Sequence, residues 1–139
     1  MSTIFSQIVE GEIPARVVYE DETTFAFLDA NPLSPGHTLV IPKDEYERLN
    51  DLPDDVATDL YATVQQLVPA VEDAVDADAS TVAFNNGEAA GQEVPHVHCH
   101  IVPRFDGDDG GPIHAAMGGF ADLGDDELDE IAADIESRA

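Results

Sequence analysis

The chain has 139 residues, enough for one domain that buries its own core. Thirty Asp and Glu stand against five Lys and Arg, a formal net charge of -25, which excludes a nucleic-acid backbone or an anionic membrane as partner. The single cysteine, Cys99, excludes an intrachain disulfide and fits a reducing compartment.

The acids do not form a tail. They run from Glu10 to Glu136 in a chain that is 43% hydrophobic, so the expectation is a folded domain with an acidic surface. Such a surface repels itself at low ionic strength and is tolerated where salt screens it. A salt-rich cytoplasm, as in a halophile, explains it best; a basic partner in an ordinary cell is the weaker alternative. The first residues carry no basic stretch followed by an apolar one, and no run is long enough to span a bilayer. The expected location is the cytoplasm.

Ser2 or Thr3 caps a short helix whose apolar residues are Ile4, Phe5, Ile8 and Val9, ended by Gly11. Arg16 to Glu20 and Thr24 to Leu28 read as two strands of a hairpin, turned at Glu20-Asp21-Glu22. A Pro- and Gly-containing loop over 31–36 leads into a third strand, His37 to Ile41, stopped by Pro42. Pro53-Asp54-Asp55 opens a long helix with its acids at the positive end. Val56, Leu60, Val64, Leu67, Val68, Val71 and Val75 form its buried stripe, and Pro69 is expected to kink or split it. Thr81 to Phe84 is a fourth strand, followed by a flexible loop over 85–92.

Next comes Pro95-His96-Val97-His98-Cys99-His100-Ile101. Alternate side chains of a strand share a face, so His96, His98 and His100 form one row and Val97, Cys99 and Ile101 enter a core. The chain has five histidines in all, and three at strand spacing make a catalytic or ligand-binding row. The spacing leaves two chemistries open: zinc held by neutral imidazoles, or acid–base and nucleophilic work. A Gly- and Asp-containing loop over 106–111 and an amphipathic helix marked by Leu128, Ile131 and Ile135 complete the chain. Strands outnumber helices and most connections are short, which predicts an antiparallel α+β domain.

His-x-His-x-His followed by two apolar residues, and preceded by Gly91-Gln92, resembles the signature of the histidine triad (HIT) superfamily. Gly11-Glu12-Ile13-Pro14, Val18 to Asp21, Phe27-Leu28-Asp29, Pro35 to Lys43 and Asn85-Asn86-Gly87 extend the resemblance to its Hint-like branch. The resemblance implies a HIT-like α+β fold, an antiparallel sheet with a long helix and short flanking helices. Residues 1–139 would be one HIT domain, with a core over about 4–104 and a C-terminal loop and helix over 105–139. It implies a homodimer, with the long helix and a strand at its interface. It also implies a nucleotide ligand, with a purine expected, and neither a cofactor nor a catalytic metal.

The implied reaction is attack by His98 on the α-phosphorus of a nucleoside 5'-phosphoramidate or related nucleotide conjugate. A nucleotidyl-histidine forms and water hydrolyses it to the nucleoside monophosphate. The resemblance places His100 beside the leaving group, gives His96 the task of orienting the row, and adds His37 as a fourth site histidine. It assigns Asp29 to the ribose hydroxyls, Asn85, Gly91 and Gln92 to the phosphate, and Phe5 and Ile8 to the base. Asp29 alone also reads as a turn residue, and Phe5 and Ile8 as core. His114 reads as a surface or loop residue. Two other outcomes remain: a dinucleoside polyphosphate hydrolase or phosphorylase, and a nucleotide-binding regulator whose hydrolysis is incidental.

Two positions depart from the resemblance. Many relatives bind a structural zinc through Cys-x-x-Cys and a later histidine, where this chain has Thr3, Ser6 and Glu45; these are poor zinc ligands, so the site reads as erased. Glu93 stands where some relatives carry a hydroxyl and others an acid. Ionised, it cannot donate to phosphate, so it points away or changes the leaving-group preference.

Overall fold

Apolar residues run almost without interruption over 25–28 and 39–42, and because side chains alternate between faces these runs give the sheet two buried faces. The protein's structure, a computed structural model, describes residues 2–139. They fall into two units that divide between Asp108 and Asp109.

The first unit begins with helix α1 (Ile4–Val9), capped by Thr3, whose hydroxyl accepts the Ser6 N–H. Strands β1 (Val17–Glu20), β2 (Thr24–Leu28) and β3 (Thr38–Pro42) lead to helix α2 (Asp54–Ala74), and strands β4 (Ala79–Phe84) and β5 (Cys99–Arg104) follow. The sheet is antiparallel throughout, in the order β1-β2-β3-β5-β4. An antiparallel α+β fold is therefore what the sequence specifies. Gly36, at φ +87, makes the bend into β3; a Cβ there would lie 3.0 Å from the Val75 side chain.

On one face Ala26, Val40, Val97, Cys99 and Ile101 pack against Leu60, Val64, Leu67 and Val71 of α2. On the other, Phe25, Phe27, Leu39 and Ile41 pack against Phe5 of α1. Burying each large side chain contributes about 1.5–3 kcal/mol, so both faces help to fix the sheet. Val97, Cys99 and Ile101 take the core side of the row as expected.

Two expectations need correction in whole or in part. Of the kink or split expected at Pro69, the split does not occur: helix α2 runs without a break through it. Pro69 and Gln65 are both exposed, so the Gln65 carbonyl that loses its intrahelical partner can turn to water. The second correction concerns the histidine row. Pairing with β3 and with β4 ends at Cys99, so His100 alone of the three lies in a strand. The His96 N–H turns back to the Val94 carbonyl at 2.8 Å, and the Val97 N–H goes to the Tyr46 carbonyl at 2.8 Å. Both donors leave the ladder, while the backbone keeps its alternation of faces.

The second unit holds a 3-10 turn (Ile113–Ala116) and helix α3 (Asp125–Arg138). Three acids open α3 and Arg138 closes it, both favourable against the helix dipole, and Arg138 pairs with Asp134 at 3.0 Å. Among the described residues no helix is long and apolar enough to cross a membrane.

Candidate active site

A cavity of about 680 Å³ opens on the sheet face covered by α1. Phe5 and Ile8 from α1, Phe27 and Leu39 from the sheet, and Ile13 and Val94 from loops form its apolar part. His37, His98, His100, Asp29, Asn85, Gly91 and Glu93 supply its polar wall. Arg16 is the one cationic side chain in that wall. Phe5 is both wall and core: its ring meets Phe27 edge-on at 5.5 Å and His98 at 5.0 Å.

The hydrogen bonds fix where each imidazole keeps its proton. His98 Nδ1 lies 2.8 Å from the His96 carbonyl. A carbonyl only accepts, so Nδ1 carries the proton and the neutral ring keeps Nε2 as its basic atom. His96 Nε2 lies 2.8 Å from the Pro42 carbonyl and must donate to it, which makes His96 Nδ1 the acceptor of the Thr3 hydroxyl at 2.9 Å. Burial holds the His96 imidazole below its ordinary range, against the pull of the Pro42 carbonyl and Glu45.

A second chain of bonds ends at His100. The Leu33 N–H donates to His37 Nδ1 at 3.0 Å, so a neutral His37 carries its proton on Nε2 and gives it to His100 Nδ1 at 2.9 Å. His100 must then carry its own proton on Nε2, a buried atom with no hydrogen-bond partner. Burial, helped by neighbouring His98 and His37, pushes His100 down to about 4, so the ring is neutral at pH 7. Burial also lowers His37, with Asp29 opposing. The result is an N–H donor beside a basic nitrogen, with the His98 and His100 ring centroids 5.0 Å apart.

Asp29, His37 and His100 also bring three possible metal-ligand atoms within 4.8 Å of one another. The tautomers weigh against a cation there. His37 could ligate through Nε2 only by moving its proton to Nδ1, where the Leu33 N–H already points. Nor do Thr3, Ser6 and Glu45 fit zinc. The Glu45 carboxylate accepts the Thr3 N–H, the Thr3 hydroxyl holds His96, and the Ser6 hydroxyl lies 3.5 Å from that of Thr3. These groups satisfy one another by hydrogen bonds that a cation would break.

The structure brings together Phe5, Ile8, Asp29, His37, Asn85, Gly91, Glu93, His98 and His100 in one cavity wall, with His96 buried directly behind. It places Gln92 elsewhere. The Gln92 amide accepts the Gly87 N–H at 2.7 Å and donates to the carbonyls of Glu47 and Val94, tying the loop together. The expected phosphate donors, the N–H groups of Gly91 and Gln92, are spent on the carbonyls of Glu88 and Gly87. Asp29 partly obeys its turn reading, since Oδ1 accepts the Asn31 N–H at 2.9 Å. His114 is exposed in the second unit. Sequence reasoning missed Leu33, which acts through its backbone, and Thr3, which it read only as a cap and a lost zinc position. Thr3 had one further signal: it sits where relatives carry a ligand.

Comparison with known proteins gives a single family. The model of the HIT domain matches residues 10–107. An uncharacterised HIT-like protein of Methanocaldococcus jannaschii is 44% identical over 133 residues, covering 96% of this chain and 98% of that one. An adenosine 5'-monophosphoramidase of Saccharomyces cerevisiae is 40% identical over 103 residues, 74% of this chain and 63% of that one. A HIT family protein of Bacillus subtilis superposes with a TM-score of 0.86 at 34% identity, covering 100% of this chain and 98% of that one.

Proposed function

The chain belongs to the HIT domain family, whose relatives include nucleotide hydrolases, and from that premise we propose that it hydrolyses nucleoside 5'-phosphoramidates or related nucleotide conjugates through a nucleotidyl-His98 intermediate. One observation carries the reading: His98 is held by Nδ1, so its basic Nε2 is kept for the substrate, beside the unpartnered His100 Nε2–H.

In the first step His98 Nε2 bonds to the α-phosphorus and the bond from phosphorus to the leaving nitrogen breaks. The departing nitrogen takes a proton from solvent water and leaves as an amine, while the neutral His100 keeps its Nε2 proton and donates it as a hydrogen bond toward the departing group. In the second step water attacks phosphorus, the bond to His98 breaks, and the nucleoside monophosphate leaves; the attacking water's proton returns to solvent and His98 Nε2 regains its lone pair. The apolar part of the cavity receives the base, and Asp29 Oδ2 accepts from the ribose hydroxyls. The phosphate meets one neutral imidazole donor, His100 Nε2–H, in a wall that also carries Arg16.

The test is to trap the protein with labelled adenosine and guanosine phosphoramidates, and with a diadenosine polyphosphate, at high salt. Label on His98, lost in His98→Ala while nucleotide still binds, is the expected result. Label on His96 or His100, or undiminished turnover by His98→Ala, sinks it. Preferred cleavage of the polyphosphate would move the protein to the other branch of the family.

A further inference from the structure

Three residues far apart in sequence meet behind His98: Thr3, Glu45 and His96. The Thr3 hydroxyl has one proton to give, and His96 Nδ1 at 2.9 Å is a closer acceptor for it than the Ser6 hydroxyl at 3.5 Å. The Thr3 hydroxyl also accepts the Ser6 N–H at 3.1 Å, closing the first turn of α1. His96 Nε2 already donates to the Pro42 carbonyl, so Nδ1 can only accept, and the hydroxyl proton goes there. The Glu45 carboxylate holds the Thr3 backbone N–H, which fixes the hydroxyl from its other side. His96 is fully buried, and its own carbonyl receives the His98 Nδ1–H. A buried ring nitrogen left without a donor has no water to turn to, so loss of the Thr3 hydroxyl would disturb the residue whose carbonyl aims the nucleophile.

We infer that Thr3 is a positioning residue for His98, acting through His96: its hydroxyl locks the His96 tautomer and couples the base-binding helix α1 to the reacting row. A hydrogen-bonded clasp of Thr3, Glu45 and His96 thus stands where a metal would otherwise be needed to tie the N-terminus to the site. The activity part of this inference rests on the hydrolase reading; its structural part does not.

Three variants separate the two duties of the hydroxyl. Thr3→Ser keeps both cap and donor. Thr3→Val has the same shape and neither. Thr3→Asp keeps a capping oxygen but, ionised, cannot donate, so His96 recovers a bond only by taking a second proton. Nitrogen-15 NMR of the histidine rings in the intact protein reads the tautomer, and single-turnover labelling reads formation of the His98 adduct. Thr3→Ser should match the unaltered protein in His96 signature and lie within about twofold in rate. Thr3→Val should change the His96 signature and slow adduct formation about tenfold. Thr3→Asp should show a doubly protonated His96 at neutral pH and a similar loss of rate. A His96 signature that is the same in all four proteins overturns the inference whatever the rates do. So does a Thr3→Asp variant as fast as the unaltered protein, because capping alone would then account for Thr3. The ring signature needs no substrate: an unaltered protein that forms no adduct overturns the hydrolase reading, and the spectra still decide for or against the Thr3–His96 clasp.

Discussion

His37 Nε2 and His100 Nδ1 lie 2.9 Å apart, and one distribution of protons satisfies both neutral rings. The Leu33 N–H on His37 Nδ1 sets it, sending the His37 proton to His100 Nδ1 and the His100 proton to its buried Nε2. Two imidazoles and one backbone amide thereby decide which His100 nitrogen carries the proton.

His37→Leu removes the donor from His100 Nδ1 with a small change in volume. His100 is then free to take the opposite tautomer. The expected outcome is a fall in adduct-formation rate of about a hundredfold, within the range of one lost hydrogen-bond donor to developing charge. The label should remain on His98. Single-turnover kinetics with peptide mapping checks both, and an unchanged rate would dismiss the relay.

The pH dependence of stability has a definite sign. His100 stands at about 4 in the folded protein against an ordinary 6.5, and His96 and His37 are lowered in the same direction, all chiefly by burial. As pH falls, the unfolded chain therefore takes up protons first. Stability from the neutral rings is complete above about pH 6.5 and declines toward pH 4. Between pH 7 and 5 the unaltered protein should lose on the order of 1–2 kcal/mol more than His100→Gln, a tenfold change in proton affinity being worth about 1.4 kcal/mol. Denaturant melts of the pair measure the difference. A His100 ring signal that titrates near 6.5 would contradict it.

Asp29→Asn distinguishes ribose binding from turn formation. The amide keeps a carbonyl oxygen for the Asn31 N–H, so the turn survives, but it loses the second, charged acceptor. KM for a ribonucleotide substrate should rise about tenfold, the scale of a hydrogen bond to a charged group, while the 2',3'-dideoxy analogue is little affected. Equal loss for both substrates would leave Asp29 a turn residue only.

Salt should stabilise the protein. With a net charge of -25, the acids repel one another across the whole domain at 0.01 M salt, where the Debye length is about 30 Å. At 1 M it is about 3 Å and only close neighbours interact. The thermal midpoint should rise as KCl goes from about 0.05 to 2 M, a range over which screening becomes short. A flat or falling midpoint would give the acidic surface another purpose, such as a basic partner.

Side-chain pattern made much of this molecule legible. The alternation from His96 to Ile101 foretold the core side of that row, because burial selects side chains of one kind on one side; that β2 and β3 are buried on both faces was not read from their nearly continuous apolar runs. The periodic stripe of α2 was equally plain. Pro69 does not split α2 because it lies outside that buried stripe, where the Gln65 carbonyl can turn to water. The Pro42 and His96 carbonyls and the Leu33 N–H went unseen because backbone atoms have no sequence signature, yet they choose every histidine tautomer in the site. Gln92 was assigned to phosphate through its backbone N–H, which the Gly87 carbonyl takes at 3.2 Å.

The ladder between β3 and β5 closes at Val40 and Cys99, just short of His98 and His96. Had it continued, the carbonyls around His96 would face a neighbouring strand rather than an imidazole. The site is thus made at a frayed hem of the sheet, from acceptors that regular weaving would have consumed. A one-residue insertion between Val94 and Cys99 could leave every catalytic side chain in the chain and still silence it, by handing His98 the wrong length of backbone to lean on.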